Sequence, residues 1–537
     1  MNYILPVKAI KYEGDITNVD SLFTKKLLQI GIKESSNTII KGKGYIILDY
    51  GKEISGGVRI LSFSVQGERT VRLRFGESVS ETLADIGFKN ATNNHSTRDM
   101  VVELQTFSDM TFAQTGFRFL RIDFLDENGY YEIKSVLASE IIDEKTILGS
   151  FNCNDEIINN IFNTATYTLR LCIQNGYFWD GIKRDRLVWI GDLYPEMLAS
   201  HCLYGIRSEI NSSLDFAKET TPLPTWVSTI PAYSLWWIIN AYDEYFYSGN
   251  SDYIIKTADY TYGIIKMVNE LVDENGYTHF PGNFIDWPTA YLEGESKNRE
   301  LDRLTGMRYL THICAEKAKK LLTIANYDVS NCDSIINKLN KVKNEVKQYK
   351  QIAGLGVLSG DLNENNLKVI LNGGANGLST FMSYPILKGI SAFNRHDDAL
   401  SILKTYYGGM LSVGATTFWE DFDIKWLDNC FRIDELPIEG KIDIHGDYGA
   451  YCYKGFRHSF CHGWSAGVIP YLIEEVAGIK VVDVGCKKIE IKPNLSNLNY
   501  VKANFPTPYG VVEVEHKITD GKVVTTINAP DEIEIIK

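Results

Sequence analysis

The spacing of apolar residues changes twice along the 537-residue chain, and this change constrains the fold more than any other feature. Up to about residue 145, apolar residues alternate with polar ones, as strands require. Val71, Leu73 and Phe75 share one face of such a run, and Thr70 and Arg72 lie on the other. Several short runs of this kind, closed by glycines, predict an antiparallel β-sandwich over residues 1–148.

Residues 149–480 have the periodicity of helices. Ile157, Ile158, Ile161 and Phe162, for example, stand three and four positions apart, after the acidic first turn of a helix. Further helical segments are predicted near residues 192–206, 208–220, 233–248, 251–274, 298–326, 332–350, 375–390, 395–408 and 455–476. Such a run fits an (α/α)6 toroid or an α-solenoid, and the lack of a fixed repeat disfavours the solenoid. Strand-like runs return in residues 481–537 and predict a small C-terminal β domain.

The charge balance excludes some partners. Acidic residues outnumber basic ones, 68 to 55, and the net charge of −13 disfavours both nucleic acid and anionic membrane surfaces. No stretch approaches the roughly 18 apolar residues of a membrane-spanning helix. The nine cysteines are scattered without a CxxC pair, which argues against a disulfide framework and a structural zinc site. Since Met1–Lys8 lack the pattern of a secretory signal, we expect a cytoplasmic protein with free thiols.

The window richest in chemistry is residues 179–192, WDGIKRDRLVWIGD. It interleaves three carboxylates, two arginines and one lysine with Trp, Ile, Leu and Val, which are usually buried. Buried carboxylates are costly unless they are paired or hydrogen-bonded. The window therefore indicates either a structural ion-pair network or a functional site.

A second acidic window lies at residues 414–423, GATTFWEDFD, where Glu420 follows two aromatic residues. Alone, it also fits a loop that leads into a capped helix. Two distant acidic and aromatic windows in one helical domain favour paired-carboxylate chemistry. Glycoside hydrolysis requires such a pair, an acid and a base on opposite sides of one bond.

Two further windows are less specific. Asp286 and Trp287 form either a hydroxyl acceptor beside a stacking face or an irregular turn with a buried Trp. His458 and His462 have the spacing of two ligands on one helix face. No glutamate follows the first histidine as in the metalloprotease motif, so we expect no metal and no cofactor.

In combination, these windows resemble glycoside hydrolase family 78, the α-L-rhamnosidases. The run from Asp180 through Arg184-Asp185-Arg186-Leu187 to Trp189 and Gly191-Asp192 is similar to the family's hallmark of Asp, Arg-Glu-Arg-Leu, Trp and Gly-Asp. Residues 414–420 resemble its second acidic loop, and residues 462–467 resemble its late histidine segment. The resemblance implies a multidomain, mainly α fold. Its catalytic domain is an (α/α)6 toroid flanked by an N-terminal antiparallel β-sandwich and a small C-terminal β domain.

The resemblance also implies an inverting exo-glycoside hydrolase that releases terminal α-L-rhamnose from glycosides or polysaccharide fragments. The family's general acid, a Glu, matches Asp185, and its general base matches Glu420. Because Asp is one methylene shorter than Glu, Asp180 and Asp192 remain rivals for the acid. The implied sugar pocket consists of Asp180, Arg184, Trp189, Asp192, Asp286, Trp287 and His462.

Two alternatives stay open. One is a glycosidase or lyase that acts on another deoxy sugar or on a uronide, which a surplus of Arg and Lys in the pocket would favour. The other is a catalytically silent carbohydrate-binding protein, which would bind a sugar without turning over aryl glycosides.

Overall fold

The N-terminal part of the chain is a seven-stranded antiparallel sheet in the computed structural model, which describes residues 2–33, 35–290, 295–342 and 348–537. The strands are β1 (Asn2–Ile4), β2 (Lys8–Thr17), β3 (Thr38–Gln66), β4 (Thr70–Gly76), β5 (Asp99–Glu103), β6 (Ser108–Phe124) and β7 (Tyr130–Glu140). Their order is β1-β7-β3-β6-β4-β5, and β2 also pairs with β3. A short helix, α1 (Val79–Leu83), follows β4.

Strand β3 is the longest strand and pairs with three others. It has 29 residues, and its register shifts between Asp49 and Ile54. Both ends of β3 pair antiparallel with the same part of β7, Tyr130–Ile133, so the strand bends around to reach both edges of β7. The enclosed core includes Leu48, Phe117 and other fully buried apolar side chains, as the alternating pattern predicts.

The middle of the chain is a closed ring of helix pairs. The helices are α2 (Glu156–Cys172), α3 (Leu193–Tyr204), α4 (Ser208–Thr220), α5 (Pro231–Ser248), α6 (Ser251–Glu270), α7 (Lys297–Ile324), α8 (Ser330–Leu339), α9 (Lys350–Leu358), α10 (Glu364–Leu371), α11 (Ser383–Ser391), α12 (His396–Ser412) and α13 (Val468–Tyr471). Helices α3, α5, α7, α9, α11 and α13 contact one another in sequence, and α13 contacts α3. The alternate helices pack outside them, which makes an (α/α)6 toroid rather than a solenoid.

Three predicted helices are shorter or more broken than the sequence pattern indicates. The helix predicted near residues 332–350 ends at Leu339, and residues 343–347 lie outside the described ranges. Residues 375–382 form turns, and the helix begins at Ser383, because Gly373, Gly374 and Gly377 take left-handed conformations that a helix does not allow. Residues 455–476 consist of short 3-10, α and π turns, since His462 is extended and pairs with Gly181.

Two short strand pairs lie within the toroid. They are β9 (Ile173–Gln174) with β10 (Tyr177–Phe178), and β11 (Cys430–Phe431) with β12 (Ile442–Asp443).

The C-terminal part of the chain is built from two small sheets. The two C-terminal sheets are β13-β14-β18 and β17-β16-β15-β8, with β8 (Ser150–Cys153), β13 (Ile479–Val481), β14 (Lys488–Ile491), β15 (Tyr500–Thr507), β16 (Gly510–Thr519), β17 (Lys522–Asn528) and β18 (Glu534–Ile536). Strand β8 pairs with the C-terminal sheet although it lies in the predicted toroid domain, residues 149–480. The domain boundaries stay predictions.

All nine cysteines are free, and most are buried. Within the described ranges, every helix is too short or too polar to cross a bilayer.

Candidate active site

Backbone hydrogen bonds bring the predicted windows together at one place. The three segments are the arginine loop (residues 179–192), the glutamate loop (residues 414–423) and the histidine segment (residues 458–467). The Gly463 N–H donates to the Asp180 carbonyl at 2.7 Å, which joins the histidine segment to the arginine loop. The His462 N–H donates to the Phe418 carbonyl at 3.0 Å, which joins it to the glutamate loop. Residues far apart in sequence therefore share one site.

His462 lies at the centre of a group of carboxyl groups. Its Nε2 is 3.8 Å from Asp180 Oδ2, 3.9 Å from Asp192 Oδ2 and 3.8 Å from Glu420 Oε1. All four residues are at most 3% exposed. Burial lowers the pKa of His462 well below its usual value, and burial raises the pKa values of Asp180 and Asp192 well above theirs.

The second oxygen of each carboxyl group is held by another partner. Asp180 Oδ1 accepts from the Leu187 N–H at 2.8 Å, and Asp192 Oδ1 accepts from the Tyr233 hydroxyl at 3.2 Å. Glu420 Oε2 accepts from the Ser459 N–H at 3.4 Å. The oxygens that face His462 therefore form an enclosed set of acceptors, which suits the hydroxyl groups of a sugar.

Arg184 joins the two carboxyl groups that the sequence assigns to catalysis. Its Nη1 donates to Asp185 Oδ1 at 3.2 Å, and its Nη2 donates to Glu420 Oε1. One guanidinium therefore bridges the two carboxyl groups, which places them close enough to act on one glycosidic bond. Burial raises the pKa of Glu420, and the Arg184 charge opposes that rise.

Asp185 differs from the other carboxyl groups because it lies at the rim of the site. Its side chain is 18% exposed, whereas Asp180 and Asp192 are buried. Asp185 and Arg186 have φ angles of 53° and 57°, in the left-handed region that non-glycine residues rarely occupy. Such a conformation is typical of sites where the surrounding structure holds a residue in place.

The two tryptophans that the sequence assigns to the pocket pack against other aromatic rings. Trp189 packs edge-on against Tyr233 at 5.9 Å between ring centroids, beside Asp192. Trp287 is half-buried and stacks on Tyr451 at 5.4 Å. The predicted role of both rings in sugar binding stays a prediction.

Asp286 has structural partners at both carboxyl oxygens. Its Oδ1 accepts from the Trp287 N–H at 2.7 Å, and its Oδ2 accepts from the Ser379 hydroxyl. The first bond caps the 3-10 turn Trp287–Thr289, and the second joins that turn to residue 379. Burial raises the pKa of Asp286 to about 7. A role of Asp286 in sugar binding stays a prediction.

Two residues near the site were not predicted from the sequence. Glu196 is 1% exposed, and its Oε1 has no hydrogen-bond partner. It stands four residues after Asp192, a spacing that places both on one face of the helix and could have revealed it. His95 belongs to the N-terminal domain, and its Nε2 lies 3.6 Å from Asp185 Oδ1. No motif in the sequence points to this contact.

A buried polar cluster ties the arginine loop to the N-terminal domain. Glu77, Glu81 and His445 are close enough to form a metal site. Lys183 already supplies a cation there, because its Nζ lies 2.9 Å from Glu77 and 3.1 Å from Glu81. It also donates to the His458 carbonyl at 2.7 Å. The lysine of the first window therefore belongs to an ion-pair network, whereas Asp180, Arg184 and Asp192 belong to the site.

Two family models match parts of the chain. The bacterial α-L-rhamnosidase six-hairpin glycosidase domain matches residues 146–245, and the bacterial α-L-rhamnosidase C-terminal domain matches residues 478–535. No curated protein sequence matches the chain.

Several solved structures are similar to this one. The GH78 family rhamnosidase of Bacillus sp. GL1 has a TM-score of 0.72 and 18% identity over 96% of this chain and 55% of its own. The Streptomyces avermitilis α-L-rhamnosidase, complexed with L-rhamnose, has a TM-score of 0.69 and 15% identity over 93% of this chain and 50% of its own. The Klebsiella oxytoca rhamnosidase, with rhamnose bound, has a TM-score of 0.65 and 16% identity over 88% of this chain and 95% of its own. The chain spans about half the length of the first two, and the likeness confirms the predicted fold class.

Proposed function

We propose that this chain, which carries two domains of the bacterial α-L-rhamnosidase family, is an inverting exo-glycoside hydrolase that releases terminal α-L-rhamnose from glycosides or polysaccharide fragments. The observation that carries the proposal is the pair of carboxyl groups, Asp185 and Glu420, held by one guanidinium beside an enclosed set of sugar-hydroxyl acceptors.

The two carboxyl groups have surroundings that suit different roles. Asp185, at the rim, protonates the glycosidic oxygen as the bond to the anomeric carbon breaks. Glu420, in the interior, takes a proton from the water that attacks the anomeric carbon from the opposite face. The product leaves with inverted configuration.

The charge in the pocket favours a neutral sugar. Asp180, Asp192 and Glu420 face inward, and His462 has a strongly lowered pKa, so Arg184 is the main cation beside them. A uronide would bury a further carboxylate here, and Arg184 already pairs with Asp185 and Glu420, so the new charge would lack a partner. Trp189 and Trp287 offer apolar faces for the methyl group of a 6-deoxy sugar.

The other predicted properties remain proposals that rest on composition. The net charge of −13 and the acidic pocket support a carbohydrate rather than nucleic acid or an anionic membrane as partner. The free cysteines are compatible with a cytoplasmic location.

The first test measures hydrolysis of p-nitrophenyl α-L-rhamnoside by wild type, Asp185→Asn and Glu420→Gln. We expect the Glu420 variant to lose about 10²–10⁴ in kcat, as is usual when general acid–base catalysis is removed. The Asp185 variant should lose more on an alkyl rhamnoside than on the aryl one, because p-nitrophenolate leaves without protonation. Asp273→Asn, in an exposed pair with His279, is the matched control.

The configuration of the first product tests the inversion. Proton NMR early in the reaction should show β-L-rhamnose; an initial α anomer would exclude an inverting mechanism. If Asp180→Asn or Asp192→Asn rather than Asp185→Asn shows the dependence on leaving group, the acid is reassigned. A wild-type protein that binds rhamnose and hydrolyses no rhamnoside would identify a silent binding protein.

A further inference from the structure

The N-terminal domain reaches the rim of the candidate active site through one side chain. His95 Nε2 lies 3.6 Å from Asp185 Oδ1, and the histidine side chain is 34% exposed on the outer side of the acid. We propose that His95 positions Asp185 for proton donation to the leaving group, so that the N-terminal domain completes the catalytic site. This inference rests on the proposed function.

The loop that carries His95 is fixed against the arginine loop. The Ser96 hydroxyl donates to the Lys183 carbonyl and lies 2.9 Å from Thr115 Oγ1. At the base of the loop, Asn93 Oδ1 accepts from the N–H groups of Arg98 at 3.0 Å and Asp99 at 2.9 Å. Because Lys183 stands two residues before Asp185, the Ser96 bond fixes the histidine next to the acid.

Asp185 needs such support for two reasons. It is one methylene shorter than the Glu of the resembling motif, and its backbone has a left-handed φ of 53°. Arg184 Nη1 already donates to Asp185 Oδ1 at 3.2 Å. A second donor, His95 Nε2, faces the same oxygen. Once His95 also bonds to Oδ1 in the substrate complex, the carboxyl plane is fixed and Oδ2 is left to carry the proton to the leaving oxygen.

The 3.6 Å distance is slightly longer than a hydrogen bond. Catalytic hydrogen bonds often tighten only when substrate is bound. A glycoside whose leaving group enters between the N-terminal domain and the arginine loop would exclude water from this contact. His95 is thus a positioning residue that acts through Asp185.

The test compares His95→Ala and His95→Gln with wild type on methyl and p-nitrophenyl α-L-rhamnosides. For the methyl glycoside, which needs a proton donor, we expect the Ala variant to lose about tenfold or more in kcat. For the p-nitrophenyl glycoside we expect a loss of less than about threefold, since this leaving group needs little protonation. Gln, whose amide N–H can replace the Nε2 donor, should restore most of the activity on the methyl glycoside.

The matched control is His279→Ala. His279 Nε2 pairs with Asp273 at 3.0 Å, and its side chain is 62% exposed. We expect this variant to hydrolyse both glycosides at the wild-type rate. An equal loss on both substrates in His95→Ala, or a change in KM alone, would overturn the proposal.

A double-variant cycle separates action through Asp185 from a direct effect on substrate. In an Asp185→Asn background, His95→Ala should cause no further loss on the methyl glycoside, because the group on which it acts is gone. Additive losses would overturn the positioning role. A wild type that hydrolyses neither rhamnoside would contradict the proposed function itself. An active wild type together with a His95→Ala variant of unchanged rates would contradict only the positioning role.

Discussion

Arg184 is the residue whose charge most directly controls the proposed base. Its guanidinium contacts Glu420 and Asp185 and is itself 5% exposed, so its charge acts in a poorly solvated environment. Burial raises the pKa of Glu420, and Arg184 lowers it. The state of the base at a given pH therefore depends on the balance between these two effects.

Replacement of Arg184 by Gln should move the acidic limb of the pH profile upward. Without the guanidinium, the pKa of Glu420 rises further, and a general base works only when ionised. As pH falls, kcat/KM should therefore decline at a higher pH than in wild type. The measurement is kcat/KM for p-nitrophenyl α-L-rhamnoside between about pH 4 and 9, where a bell-shaped profile reports the essential acid and base.

Arg186→Gln is the control for this experiment. Arg186 lies in the same loop but stacks on Trp179 at 4.8 Å and donates to the Gln114 carbonyl. The acidic limb of the kcat/KM profile of Arg186→Gln should match that of wild type. An unchanged acidic limb in the Arg184 variant would show that Glu420 is not the group whose ionisation the profile reports.

At the residue scale, the sequence predicted the residues within its motifs and missed a contact across domains. The sequence pointed to four residues because their windows combine polar or acidic side chains with aromatic ones. In the structure these residues, Asp180, Asp192, Glu420 and His462, lie together. His95 lies in a polar loop of the N-terminal domain, and only the tertiary structure brings it to Asp185. The assignment of these residues to roles in catalysis and binding stays a prediction.

At the element scale, helix α3 and the histidine segment fit together through a glycine. A Cβ added to Gly463 would lie 1.8 Å from Glu196 Oε1, in the first turn of α3. The same segment carries His462, whose imidazole faces the carboxyl groups of the site. The absence of a side chain at position 463 therefore leaves room for the Glu196 side chain between these two elements.

The substitution Gly463→Ala should lower both stability and activity. Overpacking in a dense interior costs about 1–3 kcal/mol, and displacement of His462 would disturb the pocket. Thermal unfolding and kcat/KM measure the two effects. Addition of Glu196→Ala should restore part of the melting temperature, because it removes the clashing side chain. A Gly463→Ala variant that unfolds at the wild-type temperature would contradict this packing argument.

Element boundaries were the least predictable part of the fold. The alternating periodicity identified the strands, and the helical spacing identified most helices of the toroid. Residues 375–382 and 455–467 departed from their predicted helices, since glycines and backbone pairing with the arginine loop determine those segments. Helical spacing of apolar residues does not distinguish a buried helix from a buried irregular segment whose backbone bonds to another loop.

At the scale of the whole molecule, Lys183 couples the N-terminal domain to the site. It is a buried cation between Glu77 and Glu81, and the next residue, Arg184, contacts Glu420. Burial raises the pKa of Glu77 to about 7, and Lys183 opposes the rise. The arginine loop is therefore held on one side by the N-terminal domain and on the other by the toroid.

Replacement of Lys183 by Met should destabilise the protein by about 3–5 kcal/mol, the usual cost of leaving buried charges without a partner. The melting temperature should fall, and Glu77→Gln in the same chain should restore part of it. Lys338→Met is the control, because the partner of Lys338, Glu274, is exposed. Equal melting temperatures for Lys183→Met and the control would show that the cluster does not hold the domains together.

Strand β8 gives the chain a particular order of assembly during synthesis. Cys153, in β8, pairs with Val501, in β15. The ribosome makes β8 before the toroid and β15 after it, so β8 finds its partner only when the toroid has been synthesised. Until then, β8 presents an unpaired edge, and contacts of such sequence separation form slowly. The arrival of β15 covers this edge, so the first strand of the toroid region is fixed only once the C-terminal sheet has begun to form.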